Sequence, residues 1–271
     1  EALFSMEAPL SKVVEGKRSR IGFATLGDLL PNPKTGDCVS EPERFRQFVE
    51  FGVLAESLGF WSYHLGEHHF SDYVLSSPPV ILAAVAERTE HVRLSTAVAL
   101  LPHRDPVHVA EDYATLDMIS GGRVELIAGR GVYKNHYALR RQEENDSELY
   151  MDEAVTLLKR LWSEENVSWS GGLRAPLQDV TLRPRCYQRP YPPIWLSASS
   201  QDSVTRAVKL GCPVVIPMVS TGVENAYERA AQYRAEWTAA GRDPFEARVG
   251  LHLHFYVGAG TTAEAIDYWW P

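Results

Sequence analysis

Cysteine is scarce. Cys38, Cys186 and Cys212 are the only three in 271 residues, and they stand far apart. An odd number at that spacing excludes a disulfide framework and a Cys-x-x-Cys metal or redox pair. Also missing is any run near the roughly 18 apolar residues of a membrane span, and the first residues lack the apolar core of a secretion signal. The expectation is a cytoplasmic protein with no membrane partner. There is no dense basic tract, and the net charge is −8, so the chain does not carry the footprint of a nucleic-acid binder. No internal repeat or low-complexity segment stands out.

What is present is alternation. With 45% hydrophobic residues the chain can bury a substantial core. Short β-type runs occur at Ile21–Leu26, Trp61–Leu65, Val92–Leu100, Val124–Ala128, Ile194–Ala198, Val214–Val219 and Val249–Val257. Between and after them lie helical patterns at Pro42–Leu58, Pro79–Arg88, Pro106–Ile119, Ser147–Trp162, Ser203–Leu210, Val223–Ala240 and Thr262–Trp270. Most of the strand runs are continuously apolar, as parallel strands covered on both faces require. Glu41-Pro42 and Asp105-Pro106 start helices, and Gly121-Gly122 and Gly211 stop them. Seven βα units in series predict an α/β fold of the (β/α)8 TIM-barrel type with its last βα unit absent, within a single domain over 1–271. An open doubly wound sheet is the competitor, because alternation alone does not show closure. Residues 1–19 read as an N-terminal extension. The proline-bearing stretch 167–189 reads as a long loop excursion of functional character.

In a parallel barrel the residues just past each strand share one face. Reading those positions together gathers Glu67, His68 and His69; Leu101 to Arg104; Gly129, Arg130 and Gly131; Ser199 and Ser200; and Met218 to Thr221. A histidine there can move a proton near neutral pH, with a neighbouring carboxylate to raise its basicity; the plainer reading is a loop-capping side chain. Arg130, between two glycines, can grip an anion where backbone comes close to a ligand. Ser199, Ser200 and Ser203 stand where a strand enters a helix N-terminus, which favours phosphate and equally suits an ordinary serine cap. Together the arginine and serine turns suit a phosphate-bearing cofactor. His252 and His254, two apart in "LHLHF", join His68 and His69 in a weaker zinc reading. No further Asp or His stands at a strand end to complete that site, so no metal is expected.

The segments "GEHHF", "STAVALLPHRDPVHVAEDYATLDMISGGRVELIAGRGVY", "DEAVTLLKRLW" and "PPIWLSASS" resemble, in this order, the bacterial luciferase-like flavin-dependent monooxygenases, above all the luciferase alpha chain and its single-chain relatives. The likeness runs from about Arg20 to Gly258. It implies a (β/α)8 barrel that binds reduced FMN at the strand C-termini and uses oxygen to oxidise an aldehyde or related organic substrate. It implies that His68 is the general base, that Ala97 and Val98 form a non-proline cis peptide beneath the flavin ring, and that Gly129 takes the position of a cysteine near the reacting flavin edge. Arg130 and Tyr133 match flavin-contacting positions, and Ser199, Ser200 and Ser203 match the phosphate turn. A separate reductase is the implied source of reduced FMN, and a homodimer the implied assembly.

Three departures from the pattern matter, the first being Gly129 in place of the cysteine, a change shared by many non-luminescent relatives, so that light emission is not to be assumed. Where the family presents an arginine to the phosphate, "NDSELYMDEA" offers Glu148, a carboxylate expected to repel it and weaken FMN binding. The family also runs on for tens of residues beyond the point reached by Pro271, so a last strand and helix are expected to lie outside this sequence. Within the family the rival reading is deazaflavin-dependent hydride transfer, against which "EHHF" favours FMN; outside it stand a flavin-binding protein without turnover and a metallohydrolase. The substrate is not legible: Phe70, Tyr73 and Trp61, with loops 167–189 and 220–225, suggest only a hydrophobic or aromatic molecule.

Overall fold

Each apolar run becomes a parallel strand four to eight residues long, and the segment after it a covering helix. The computed structural model describes residues 20–32, 34–131, 133, 136, 147–256, 258 and 260–269, so the expected extension over 1–19, Val257 and Trp270 lie outside the described residues. The elements are β1 (Gly22–Thr25), α1 (Glu41–Ser57), β2 (Ser62–Leu65), α2 (Pro78–Ala86), β3 (Arg93–Leu100), α3 (Pro106–Ile119), β4 (Val124–Gly129) and α4 (Ser147–Ser163). There follow β5 (Val167–Trp169), β6 (Leu177–Val180), β7 (Ile194–Ser197), α5 (Gln201–Leu210), β8 (Val214–Pro217), α6 (Met218–Thr221), α7 (Val223–Ala239), β9 (Val249–His252) and α8 (Thr262–Trp269). Helix starts follow local chemistry. The Ser40 side chain accepts from the Glu43 N–H and the Asp105 side chain from the Val107 N–H, each just ahead of a proline whose missing N–H costs nothing there.

Strand order decides between the two candidate architectures. The main sheet runs β1-β2-β3-β4-β7-β8-β9, every neighbouring pair parallel. A doubly wound sheet would reverse its order partway. Here each crossover leads to the next strand along, so the sheet curls in one direction into a seven-stranded half-barrel, a (β/α)8 barrel one unit short. Among the described residues β1 and β9 are its two outer strands.

Two strands are shorter than their apolar runs. β8 stops at Pro217 rather than Val219, because Met218–Thr221 closes a helical turn in which the Gly222 N–H donates to Met218 O at 2.8 Å. β9 stops at His252, since Pro217↔His252 is the last rung its neighbour can offer. His252 therefore ends the strand instead of lying within it, and His254 lies past it. The 167–189 excursion contains an antiparallel hairpin, β5 with β6. Its turn is pinned to α4 by the Glu153 carboxylate, which accepts from Trp169 Nε1 at 3.1 Å, Gly172 N at 2.8 Å and Leu173 N at 3.0 Å.

The core lies between sheet and helices. Phe48 and Ala55 of α1, Leu82 and Val85 of α2, Tyr63 of β2, Leu94 of β3 and Leu126 of β4 are all buried; each large apolar side chain so placed contributes about 1.5–3 kcal/mol. Gly52 lets α1 approach closely, since a Cβ there would stand 2.5 Å from Val85 and 3.0 Å from the Tyr63 ring. Polar side chains staple the end of the sheet where its strands begin. Glu56 accepts the N–H groups of Glu90, His91 and Val92, and Arg123 reaches the carbonyls of Ala86, Val92 and Ser120. Trp61 belongs to this end, under the Arg20 guanidinium at 3.9 Å, and so does not wall a pocket at the opposite mouth. No helix of the described residues is long and apolar enough to cross a membrane.

Candidate active site

At the mouth, the turn after β2 is folded back by three bonds. The His68 N–H donates to Leu75 O at 2.8 Å. Glu67, only 2% exposed, holds His69 Nε2 at 3.0 Å with one carboxylate oxygen and accepts the Leu100 N–H at 3.0 Å with the other. The buried acid thus joins the histidine corner to the end of β3.

His68 projects against aromatic rings. Tyr73 stacks on it with centroids 4.5 Å apart, and Tyr133 meets it edge-on at 5.9 Å. Burial holds its imidazole below the ordinary histidine range, opposed by the Leu26 backbone and the Glu67 charge. The ring is therefore neutral at neutral pH, the form that accepts a proton. Its buried Nδ1 has no hydrogen-bond partner among the described residues.

Beside this corner β3 carries a cis peptide between Ala97 and Val98. The ladder with β4 slips there, pairing Ala97 with Ile127 and Ala99 with Ala128 and leaving Val98 as the extra residue of a bulge. Gly129 follows from that geometry: a Cβ on it would stand 2.5 Å from Val98 Cγ2. Position 129 is a glycine because Val98 already fills the space.

His136 and His103 belong to the same cluster, and of the two, sequence reading misses His136. His136 is 1% exposed, its Nε2 accepts the His69 N–H at 3.4 Å, and its ring lies 5.8 Å from Tyr133 and 6.0 Å from His103. Burial, reinforced by three neighbouring histidines, pushes its imidazole down to about 4. Gly131, at φ 82°, admits the ring, since a Cβ there would stand 2.5 Å from His136 Nδ1. His103 Nε2 donates to Arg130 O at 3.0 Å, fixing the loop after β4. His103 stands in the Leu101–Arg104 stretch that the strand-end rule places at the mouth. His136, by contrast, follows no strand.

The arginine and serine turns meet through a residue expected to oppose them. Arg130 Nη1 lies 3.1 Å from Glu148 Oε1, and Arg206 Nη2 lies 2.6 Å from Glu148 Oε2. Glu148 is thus neutralised by two guanidiniums. One of them, Arg206, has no strand-end signal; it stands three residues, nearly one turn, beyond Ser203 on α5. The serines themselves form a capping box: the Ser200 hydroxyl accepts from Ser203 N at 3.2 Å, and the Ser203 hydroxyl from Ser200 N at 2.9 Å. Ser199, Ser200 and Gln201 also border a cavity of about 260 Å³ shared with Ser220, Thr221, Asn225 and Arg229.

The structure therefore brings His68, Ala97, Val98, Gly129, Arg130 and Tyr133 into one mouth and links them to Ser203 through Glu148 and Arg206. His252 and His254 stand apart with ring centroids 6.1 Å from each other. Among the described residues no group of three or more His, Cys, Asp or Glu side chains is arranged to hold a metal ion.

Comparison with known proteins bears on the family and the fold. The family model described as luciferase-like monooxygenase matches residues 21–269. An uncharacterised protein of Sinorhizobium fredii is 36% identical over 173 residues, 62% of this chain and 50% of its own length. The oxygenase component of a flavin-dependent trigonelline monooxygenase of Acinetobacter baylyi is 27% identical over 70% of this chain and 53% of its own. An alkanal monooxygenase alpha chain of Photorhabdus luminescens is likewise 27% identical, over 71% of this chain and 52% of its own. The chain spans about half the length of the curated relatives it matches.

Among solved structures, monooxygenase RslO1 from Streptomyces bottropensis superposes with a TM-score of 0.82 at 29% identity, covering 92% of this chain and 74% of its own. Two others share the fold. The oxygenating constituent of 3,6-diketocamphane monooxygenase of Pseudomonas putida, solved with FMN, has a TM-score of 0.75 at 19% identity, covering 86% of this chain and 66% of its own. An F420-dependent secondary alcohol dehydrogenase has a TM-score of 0.71 at 18%, covering 87% and 68%. With the half-barrel, the histidine corner and a family match over nearly all of its length, this chain belongs to the luciferase-like monooxygenase family.

Proposed function

We propose that this protein, acting as one domain over 1–271, binds reduced FMN at the mouth of the half-barrel and oxidises a small hydrophobic organic substrate with O2. The observation that carries this reading is the pairing of a neutral, aromatic-walled His68 with the small-residue floor of Ala97, Val98 and Gly129, in which the Val98 side chain covers Gly129. A flat, apolar ring system fits a floor lined by short, apolar side chains. The flavin supplies oxygen activation; the protein supplies the surroundings. His68 accepts a proton at Nδ1. Tyr73 and Tyr133 pack against its ring, and Glu67 holds the turn that carries it. Arg130, Arg206 and the turn of Ser199, Ser200 and Ser203 offer charge and donors to the phosphate.

The trigonelline enzyme is named as an oxygenase component, which supports a separate, transient reductase as the source of reduced FMN here. We place the protein in the cytoplasm, as a homodimer with a small-molecule substrate. A deazaflavin in place of FMN, with hydride transfer in place of oxygenation, is the second reading, supported by the shared fold of the F420-dependent dehydrogenase.

Anaerobic titration with FMN, reduced FMN and the deazaflavin, followed by absorbance and fluorescence, separates the two. Tight binding of reduced FMN and oxygen-dependent turnover of an added substrate are expected. Preference for the deazaflavin replaces the first reading with the second. Binding of none overturns both.

A further inference from the structure

Glu148 stands where the family pattern has an arginine, and the fold gives that departure a specific setting. Its two carboxylate oxygens face two guanidiniums from different parts of the fold: Arg130, past β4, at 3.1 Å and Arg206, on α5, at 2.6 Å. Such convergence on a single two-oxygen anion is the geometry with which arginines grip carboxylates and phosphates alike.

The three partners are not equally held. The Arg206 side chain is 15% exposed and has a second anchor, since its Nε lies 2.7 Å from Asp152 Oδ1. Asp152 in turn sits 3.3 Å from Lys209 Nζ. Glu148 is 40% exposed and its side chain has only the two arginines as ion-pair partners among the described residues. Arg130 is 38% exposed, and besides Glu148 its Nη1 donates to the Ser147 hydroxyl at 3.3 Å, so Glu148 can swing into water while Arg206 stays on Asp152 and Arg130 keeps Ser147. With it in place the charges of Arg130, Arg206, Glu148 and Asp152 cancel; with it withdrawn, one positive charge remains for an incoming anion. The Arg206 hydrogen bond holds the Glu148 carboxyl below the usual carboxylate range, so it is ionised near neutral pH and protonation does not release it there.

We propose that Arg130 and Arg206 form a two-guanidinium clamp for the flavin phosphate, and that Glu148 is an internal anion occupying the clamp until the phosphate displaces it. This rests on the FMN reading above and adds what that reading lacks: Glu148 competes for the cofactor's site instead of simply spoiling it. Affinity for FMN is then set below what the clamp alone would give, and other phosphate-bearing anions compete for the same place.

The test compares FMN with riboflavin, which has the ring but no phosphate, by fluorescence titration of the wild type, Glu148→Gln, Arg206→Gln and the double variant. Glu148→Gln is expected to tighten FMN roughly two- to tenfold, the range for removing a partly exposed competing charge, and to leave riboflavin unchanged. Arg206→Gln weakens FMN and abolishes the gain in the double variant. Weaker FMN binding by Glu148→Gln, or an equal shift for riboflavin, overturns the proposal, because the carboxylate then organises the arginines or the ring site. If no protein binds either flavin, the FMN reading fails separately. The clamp is then judged by inorganic phosphate, which must raise the melting temperature of Glu148→Gln more than that of the wild type; an equal or smaller rise overturns it.

Discussion

Glu67 Oε2 accepts the Leu100 backbone N–H at 3.0 Å, and through that one bond the turn bearing His68 is fastened to the strand bearing the Ala97–Val98 peptide. The two bonded residues are 33 positions apart in sequence. The backbone ladder between β2 and β3 ends at Leu65↔Thr96, and beyond that rung a buried acid carries the connection.

Replacing Glu67 with Ala leaves the Leu100 N–H buried and unpaired and frees His69. The cost expected for such a group is about 1–3 kcal/mol, measured by urea unfolding. Glu67→Gln keeps an acceptor for Leu100 and should lose clearly less. Equal losses for the two variants would mean that the bond to Leu100 is not what the acid contributes.

His68→Ala should leave flavin affinity within about twofold and lower turnover by roughly 10²–10⁴, the usual worth of a general base. Burial lowers the His68 pKa, so its neutral form persists below the ordinary range and is lost only as pH falls through the lowered value. The acid limb of kcat/KM should therefore lie below the ordinary histidine value of 6.5 and vanish in His68→Ala. An acid limb above that value, or one that survives the substitution, would remove His68 from the role.

Gly129→Cys introduces a Cβ 2.5 Å from Val98 Cγ2. Overpacking of this kind costs about 1–3 kcal/mol. Val98→Ala makes room, so the double variant should recover part of the loss in a double-mutant cycle read by chemical denaturation. Strict additivity would show that the two side chains do not meet.

His136 couples folding to acid. Its pKa is about 4 in the folded chain against an ordinary value of 6.5. Above 6.5 both states are neutral and pH has no effect through this group; between 6.5 and 4 the unfolded chain takes the proton first, so stability falls as pH falls. Urea midpoints at several pH values should show this decline and a shallower one for His136→Asn. An unchanged pH slope in the variant would assign the acid sensitivity elsewhere.

The order of strands and helices was legible in the chain alone, because apolar period and helix caps are local signals that survive without tertiary context. So were many of the residues at the mouth: His68, Gly129, Arg130 and the serine turn all follow directly from where strands end. Strand ends themselves were less legible. β8 could not continue past Pro217, because its apolar run turns into a helix at Met218, and β9 could extend only as far as its neighbour's ladder.

The partners of these residues came from packing. Glu148 in isolation is a misplaced negative charge; only the packing of α4 against α5 brings Arg206 to it, from 58 positions away. His136 follows no strand and reaches the mouth because Gly131 leaves room for its ring. The glycine at 129 has its reason in Val98, on the adjacent strand. Periodicity records whether a residue is covered, and a strand end records which face it serves, but neither records which side chain from another crossover lies within hydrogen-bonding reach. That distance is set by how the sheet curls, and the site's charges and proton affinities follow from it.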